Sequence, residues 1–227
     1  MLFVFDLDGT LAALGAGVAA EDGALLAELV RHGHQIALCS GKPTYYLCGF
    51  VRQLGLPDTI LIGENGASIQ FGIDLPPPRR ALLPIAETAK RNIATLRDKI
   101  TAAFGDTLWC QPNEVSFTPF PQSPADFERI EALLAEDPAL LDGVTYYRHC
   151  DSFDIVPAEV NKGAGLSYLS TLTGIPTADM VAIGNGVNDY PMFGVAGHSV
   201  GIALPDRDAA DICFDTIHEA LCYLCTL

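Results

Sequence analysis

The run Leu2-Phe3-Val4-Phe5-Asp6-Leu7-Asp8-Gly9-Thr10 decides how this chain reads. Four consecutive apolar residues mark a short strand covered on both faces, as in a parallel sheet held between helices. Two carboxylates follow at once. In extended backbone, residues i and i+2 point to the same side, so Asp6 and Asp8 are expected to converge on one small volume. Carboxylates that close call for a cation or a shared proton. Open parallel sheets bind ligands at the carboxyl ends of their strands, which is where this pair falls. Gly9 and Thr10 then leave room and supply backbone or hydroxyl donors for an oxyanion. The bland alternative is a strand-end turn whose carboxylates face water.

Working outward, Leu25, Leu26, Leu29 and Val30 stripe a helix over 21–31, with Gly33 as a stop. A strand at 36–39, a helix at 43–54, a strand at 59–62 and a further extended piece at 66–71 come next. Strands alternating with helices imply a parallel sheet with right-handed crossovers. Residues 74–80 contain Pro76-Pro77-Pro78 and read as a stiff linker. The pattern then becomes helix-strand-strand twice over: helices at 85–104 and 124–135, extended runs at 107–110, 114–118, 144–148 and 153–156. After Pro157 the alternation returns, with a helix at 163–173, strands at 181–184 and 199–203, and a last helix at 217–224. The expected fold is α/β: a doubly wound parallel-sheet core from 1–75 and 157–227, interrupted by an inserted α+β domain at 76–156.

The chain has 227 residues, 28 acidic against 13 basic, for a formal net charge of −15. That field argues against nucleic acid or an anionic membrane as partner. A hydrophobic content of 49% excludes a disordered chain. No apolar stretch is long enough for a membrane span, and the opening residues lack a basic n-region, so the expected location is cytoplasmic. The odd, scattered set of seven cysteines fits a reducing compartment. One C-x-x-C, Cys222 and Cys225 after His218, lacks the second ligand pair a metal site would need and reads as helix packing.

Three further segments follow a core strand or open a core helix. They are Ser40-Gly41-Lys42, Asn161-Lys162-Gly163, and Gly184-Asn185-Gly186-Val187-Asn188-Asp189. A hydroxyl, an ammonium and an oxygen-rich turn meeting two carboxylates make an inventory for phosphoryl transfer. In kind and order, the four segments resemble those of haloacid dehalogenase (HAD) superfamily phosphatases. Gly63-Glu64-Asn65-Gly66-Ala67 and the helix-strand-strand insertion are similar to the Cof-like branch with its C2-type cap. Lys42 and Asn188-Asp189-Tyr190-Pro191-Met192 lean toward its mannosyl-3-phosphoglycerate phosphatase-like group.

The resemblance implies roles. Asp6 would be the nucleophile that becomes an aspartyl phosphate, and Asp8 the general acid and base. Ser40, Gly41, Lys42, Asn188 and Lys162 would hold phosphate or substrate. Mg²⁺ would sit among Asp6, the Asp8 carbonyl and the fourth segment, through Asn185 or Asp189. The branch usually begins that segment Gly-Asp; here it is Gly184-Asn185, a neutral amide in place of a carboxylate. The implied activity is hydrolysis of a small phosphorylated metabolite, most often a sugar phosphate. A phosphomutase, or a weakly active relative that binds a ligand or partner, is the rival.

Other candidates rest on position alone. Arg148 and His149, at the end of a strand in the insertion, could reach a leaving group or lie at an exposed sheet edge. Glu64 and Asn65 could face the crevice or simply shape a turn. Trp109, Tyr146 and Tyr147 are expected in the core of the inserted domain.

Overall fold

The computed structural model describes all residues, Met1–Leu227. In chain order the first elements are β1 (Leu2–Phe5), α1 (Ala20–Arg31), β2 (Gln35–Cys39), α2 (Thr44–Leu54), β3 (Ile60–Gly63), β4 (Ser68–Phe71) and β5 (Arg79–Leu82). Next come α3 (Glu87–Phe104), β6 (Trp109–Gln111), β7 (Thr118–Phe120), α4 (Pro124–Ala135), β8 (Val144–Arg148) and β9 (Phe153–Pro157). The last are α5 (Lys162–Thr173), β10 (Met180–Gly184), α6 (Tyr190–Phe193), β11 (His198–Ile202), β12 (Ile212–Phe214) and α7 (Ile217–Leu224).

The chain divides into two compact units, Met1–Leu83 with Asn161–Leu227, and Pro84–Val160. The first is an α/β core around one sheet of order β12-β11-β10-β1-β2-β3-β4-β5. β1 pairs in parallel with both β2 and β10, so it lies at the centre. Its apolar run is explained by that place: Phe3 and Phe5 enter one hydrophobic layer with Leu26, Leu47 and Leu221, while Leu2 and Val4 enter the other with Leu166 and Met192. Strands buried on both faces need no polar alternation.

The helix ends follow local chemistry. The Asn161 side chain accepts from the Ala164 N–H at the start of α5, and Gly174 closes it in the left-handed region at φ 75°. Thr216 and Glu219 form a capping box at α7.

The last two strands at one side of the sheet differ from expectation. β4 and β5 run antiparallel to their neighbours. β5 covers the end of the stretch expected as a free linker, so the core extends to Leu83 and the insertion begins later than residue 76. On the return side the core resumes at Asn161 and not at 157, since β9 pairs through Pro157 with Val144.

The second unit has its own core, in which Ile93, Leu96 and Ile100 of α3 meet Phe127 and Ile130 of α4 and Phe153 and Ile155 of β9. Its ribbons β6-β7 and β8-β9 are antiparallel, bridged by mutual backbone hydrogen bonds between Phe117 and Ile155 at 2.9 and 3.0 Å. The expected helix-strand-strand repeat is therefore present. The aromatics expected in this core are not: Trp109 and Tyr147 are more than half exposed.

Candidate active site

β1, β2 and β10 end in register, since Phe5 pairs with both Leu38 and Ile183. Asp6, Ser40 and Asn185 leave the sheet together at its carboxyl edge. Asp6 remains tied to the neighbouring strand by its N–H, which donates to the Ile183 carbonyl at 2.8 Å.

The heart of the site is a buried charge cluster. Lys162, 1% exposed, places Nζ 2.5 Å from Asp6 Oδ1 and 2.5 Å from Asp189 Oδ1. Asp6 is 5% exposed and Asp189 fully buried. The Thr10 hydroxyl donates to Asp6 Oδ2 at 2.8 Å. Buried charge is tolerated only when paired and hydrogen-bonded, and here it is both. Burial pushes the Asp6 carboxyl above its ordinary range, against the pull of the Lys162 ammonium. Burial also works against the Lys162 charge, but the carboxylates of Asp6 and Asp189 outweigh it and hold the amine above its usual value.

Asp8 does not join this cluster. β1 ends at Phe5, so the i, i+2 rule of extended backbone lapses before Asp8 is reached. Asp8 accepts instead from Lys42 Nζ at 3.0 Å, and each carboxylate has its own ammonium. Lys42 also donates from its backbone N–H to Ser40 Oγ at 3.2 Å. Gly9 takes φ +86°, a backbone conformation that favours glycine, and Asn185 Nδ2 lies in the space a Cβ would take.

The fourth segment folds back on itself. Asp189 Oδ2 accepts from the backbone N–H of Asn185 at 2.8 Å and of Gly186 at 3.0 Å. With Lys162 on the other oxygen, this buried carboxylate shapes the turn and holds the lysine. Asn185 is half-buried, with Oδ1 3.2 Å from the same Thr10 hydroxyl that serves Asp6. Asn188 is exposed.

A hard divalent cation fits the oxygen chemistry at this edge. Asp6 Oδ2 and Asn185 Oδ1 lie on either side of one hydroxyl, and the Asp8 carbonyl follows in the same turn. No three His, Cys, Asp or Glu side chains converge as a metal-holding group. The side-chain oxygens that this edge brings together are one carboxylate and one amide.

Glu64 and Asn65 both adopt left-handed backbone, at φ 52° and 56°. Two such residues in succession are costly for non-glycine side chains. Their N–H groups donate to the carbonyls of Lys42 and Ser40, each at 3.0 Å, which locks the loop after β3 onto the loop after β2. The turn-forming reading holds, and the Asn65 side chain lies against Gly41.

In the inserted unit, Arg148 donates to Glu131 at 2.8 Å and stacks on Phe127 of α4. It belongs to the helix-covered side of the sheet. His149 lies 3.4 Å from Asp154, whose other oxygen accepts from Thr118 at 2.8 Å.

A family model described as haloacid dehalogenase-like hydrolase matches residues 3–75 and 111–213. The chain belongs to that family. It is an enzyme of the family's phosphatase class, in its Cof-like branch. A phosphoglycolate phosphatase of Halorubrum lacusprofundi is 29% identical over 211 residues, 91% of this chain and 87% of that protein. A haloacid dehalogenase-like hydrolase from Bacteroides thetaiotaomicron shares the fold with a TM-score of 0.80 at 18% identity, covering 98% of each chain. A HAD subclass IIB sugar phosphatase aligns with a TM-score of 0.71 at 18% identity, over 100% of this chain and 99% of that one. No helix is long and apolar enough to cross a membrane.

Proposed function

We propose that this protein is a Mg²⁺-dependent phosphomonoester hydrolase that works through an aspartyl phosphate on a small phosphorylated metabolite. The observation that carries the reading is the Asp6 carboxylate, held between Lys162 at 2.5 Å and the Thr10 hydroxyl at 2.8 Å at the end of the central strand. Lys162 keeps Asp6 ionised in a dry environment, where an unpaired acid would take a proton and lose its nucleophilicity.

Asp6 attacks phosphorus, and the bond to the leaving oxygen breaks. Asp8, positioned by Lys42, gives that oxygen a proton and later removes one from the attacking water, freeing phosphate and regenerating Asp6. Ser40 Oγ and the Lys162 ammonium take up charge on the transferring phosphoryl oxygens. Mg²⁺, held by Asp6, the Asp8 carbonyl and Asn185, would supply charge neutralisation for a dianionic ester. A protein of net charge −15 thus binds a phosphate through local positive groups.

The relatives named as phosphoglycolate phosphatase and the fold neighbour named as a sugar phosphatase support a short-chain or sugar ester as substrate. A panel of such esters, assayed for phosphate release with and without Mg²⁺, tests the reading. Release of phosphate from none of them sinks it.

A further inference from the structure

Asp22, His218 and Cys222 form a second array of reactive side chains, outside the site described above. Asp22 lies in the first turn of α1 and is 5% exposed. His218 and Cys222 stand four residues apart on α7, hence on one helix face. His218 Nδ1 is 2.7 Å from Asp22 Oδ1, and Nε2 is 3.7 Å from Cys222 Sγ. With a carboxylate on Nδ1, that nitrogen keeps its proton, and the Nε2 lone pair is the one turned to the thiol. A nucleophile, a base and a group that orients the base are thus in sequence. The stretch does pack as a helix, since Ala220, Leu221 and Leu224 are fully buried, but its outer face carries this array.

We propose that Cys222 is a modification site, a thiol deprotonated by His218 that takes up small uncharged or cationic disulfides by thiol–disulfide exchange. The Cys222 proton passes to His218 Nε2, and the thiolate sulfur attacks one sulfur of the disulfide. The new S–S bond forms as the old one breaks, and the leaving thiolate takes the proton from His218. No other oxidant is consumed. The charge preference follows from the surroundings. Glu21 and Asp22 on α1 and Glu219 on α7 face the imidazole, and this acidic rim repels an anionic reagent. The Asp22 hydrogen bond also holds His218 above its ordinary value, favouring the imidazolium that pairs with a thiolate.

The other cysteines are controls. Cys39 is buried and pushed up to about 12, and Cys48 and Cys110 are raised by burial as well. Cys225 turns toward the Leu25 carbonyl at 3.7 Å, and burial raises it too. Cys150 is exposed like Cys222 but has no imidazole hydrogen bond.

The test is to treat the full chain with cystamine, a dicationic disulfide, and in parallel with the dianionic 5,5′-dithiobis(2-nitrobenzoate). Peptide mass spectrometry then gives a rate for each cysteine. Cys222 is expected to react with cystamine about ten-fold faster than Cys150. His218→Gln, a change at an exposed position, should bring Cys222 down to the Cys150 rate without altering Cys150. Asp22→Asn should act in the same direction. A Cys222 rate no greater than that of Cys150, or one that His218→Gln leaves unchanged, overturns the proposal. A Cys222-to-Cys150 rate ratio that is no lower with the dianionic reagent than with cystamine overturns the charge preference.

Discussion

Asp189 receives the Lys162 ammonium at 2.5 Å on one carboxylate oxygen and spends the other on the backbone N–H groups of Asn185 and Gly186. One buried acid therefore fixes both the lysine that faces Asp6 and the loop that presents Asn185.

Asp189→Ala is expected to cost about 3–5 kcal/mol of stability, the range for breaking a buried ion pair from one side. The loss should appear in urea unfolding with no metal added. A variant that unfolds like the parent and changes only its Mg²⁺ requirement would contradict this role and return Asp189 to the metal.

Asp6→Asn should lower phosphate release by about 10³-fold or more, because it removes the nucleophile. The fold should survive, since Lys162 keeps Asp189 as its counter-charge. Single-turnover assays beside thermal unfolding check both halves. Substantial residual turnover rules out a covalent step at this residue.

Asn185→Asp adds a second carboxylate to the oxygen donors beside Thr10. Coulomb attraction to a divalent cation gains, but desolvation of another buried acid near Asp6 and Asp189 offsets much of it. The net gain should be about 1–2 kcal/mol, or roughly ten-fold in metal affinity. The Mg²⁺ concentration for half-maximal activity should fall accordingly, with substrate preference unchanged. An unchanged or weaker Mg²⁺ dependence would show that Asn185 has a task other than ligation.

The insertion should be removable. The Leu83 N–H donates to the Ala67 carbonyl at 2.9 Å, and the Asn161 carbonyl lies against Gly66, so both junctions meet the core at neighbouring residues. Replacing 84–160 with a short Gly-Ser bridge should leave a folded core, because its two apolar layers include no residue of the insertion. Circular dichroism and a cooperative melt decide it. We expect this core to hydrolyse generic esters while losing preference among metabolites.

The inserted unit should be sensitive to pH through His149. Its hydrogen bond to the Asp154 carboxylate raises the imidazole above its ordinary value, against a smaller effect of burial. A raised folded value contributes stability that is fully present below the unfolded value of about 6.5 and is lost as pH rises through the folded one. Protection factors of the β8 and β9 amides, corrected for intrinsic exchange, should therefore fall as pH rises through the folded value, and His149→Gln should flatten the change.

The sequence was most legible where burial leaves no choice. The run Leu2–Phe5 had to be a covered strand, and the final helix matched its expected 217–224 span because Thr216 and Glu219 cap it. The side of the sheet on which Arg148 lies is legible from strand alternation. Counting by twos from the buried Val144 puts Tyr146 and Arg148 on the helix-covered side of β8. β5 was hidden because Arg-Arg-Ala-Leu carries no apolar alternation, and an edge strand needs little. The role of Asp189 could not be read, since only the folded turn determines whether a carboxylate faces a metal or its own backbone. Of the left-handed pair, Asn65 is a residue type that favours such backbone, whereas Glu64 carries no such mark.

The poorly apolar edge strand has a consequence for the life of the molecule in a crowded solution. A sheet of eight strands ends in open hydrogen-bonding groups on which a stray chain can extend it. At β5 that side begins with Arg79 and Arg80, directly after three prolines that cannot donate to a ladder. Both arginines are exposed, and a strand docking there would have to bring its backbone past them. The segment that reads as a mere connector lines this edge with charge and proline, both of which oppose such docking.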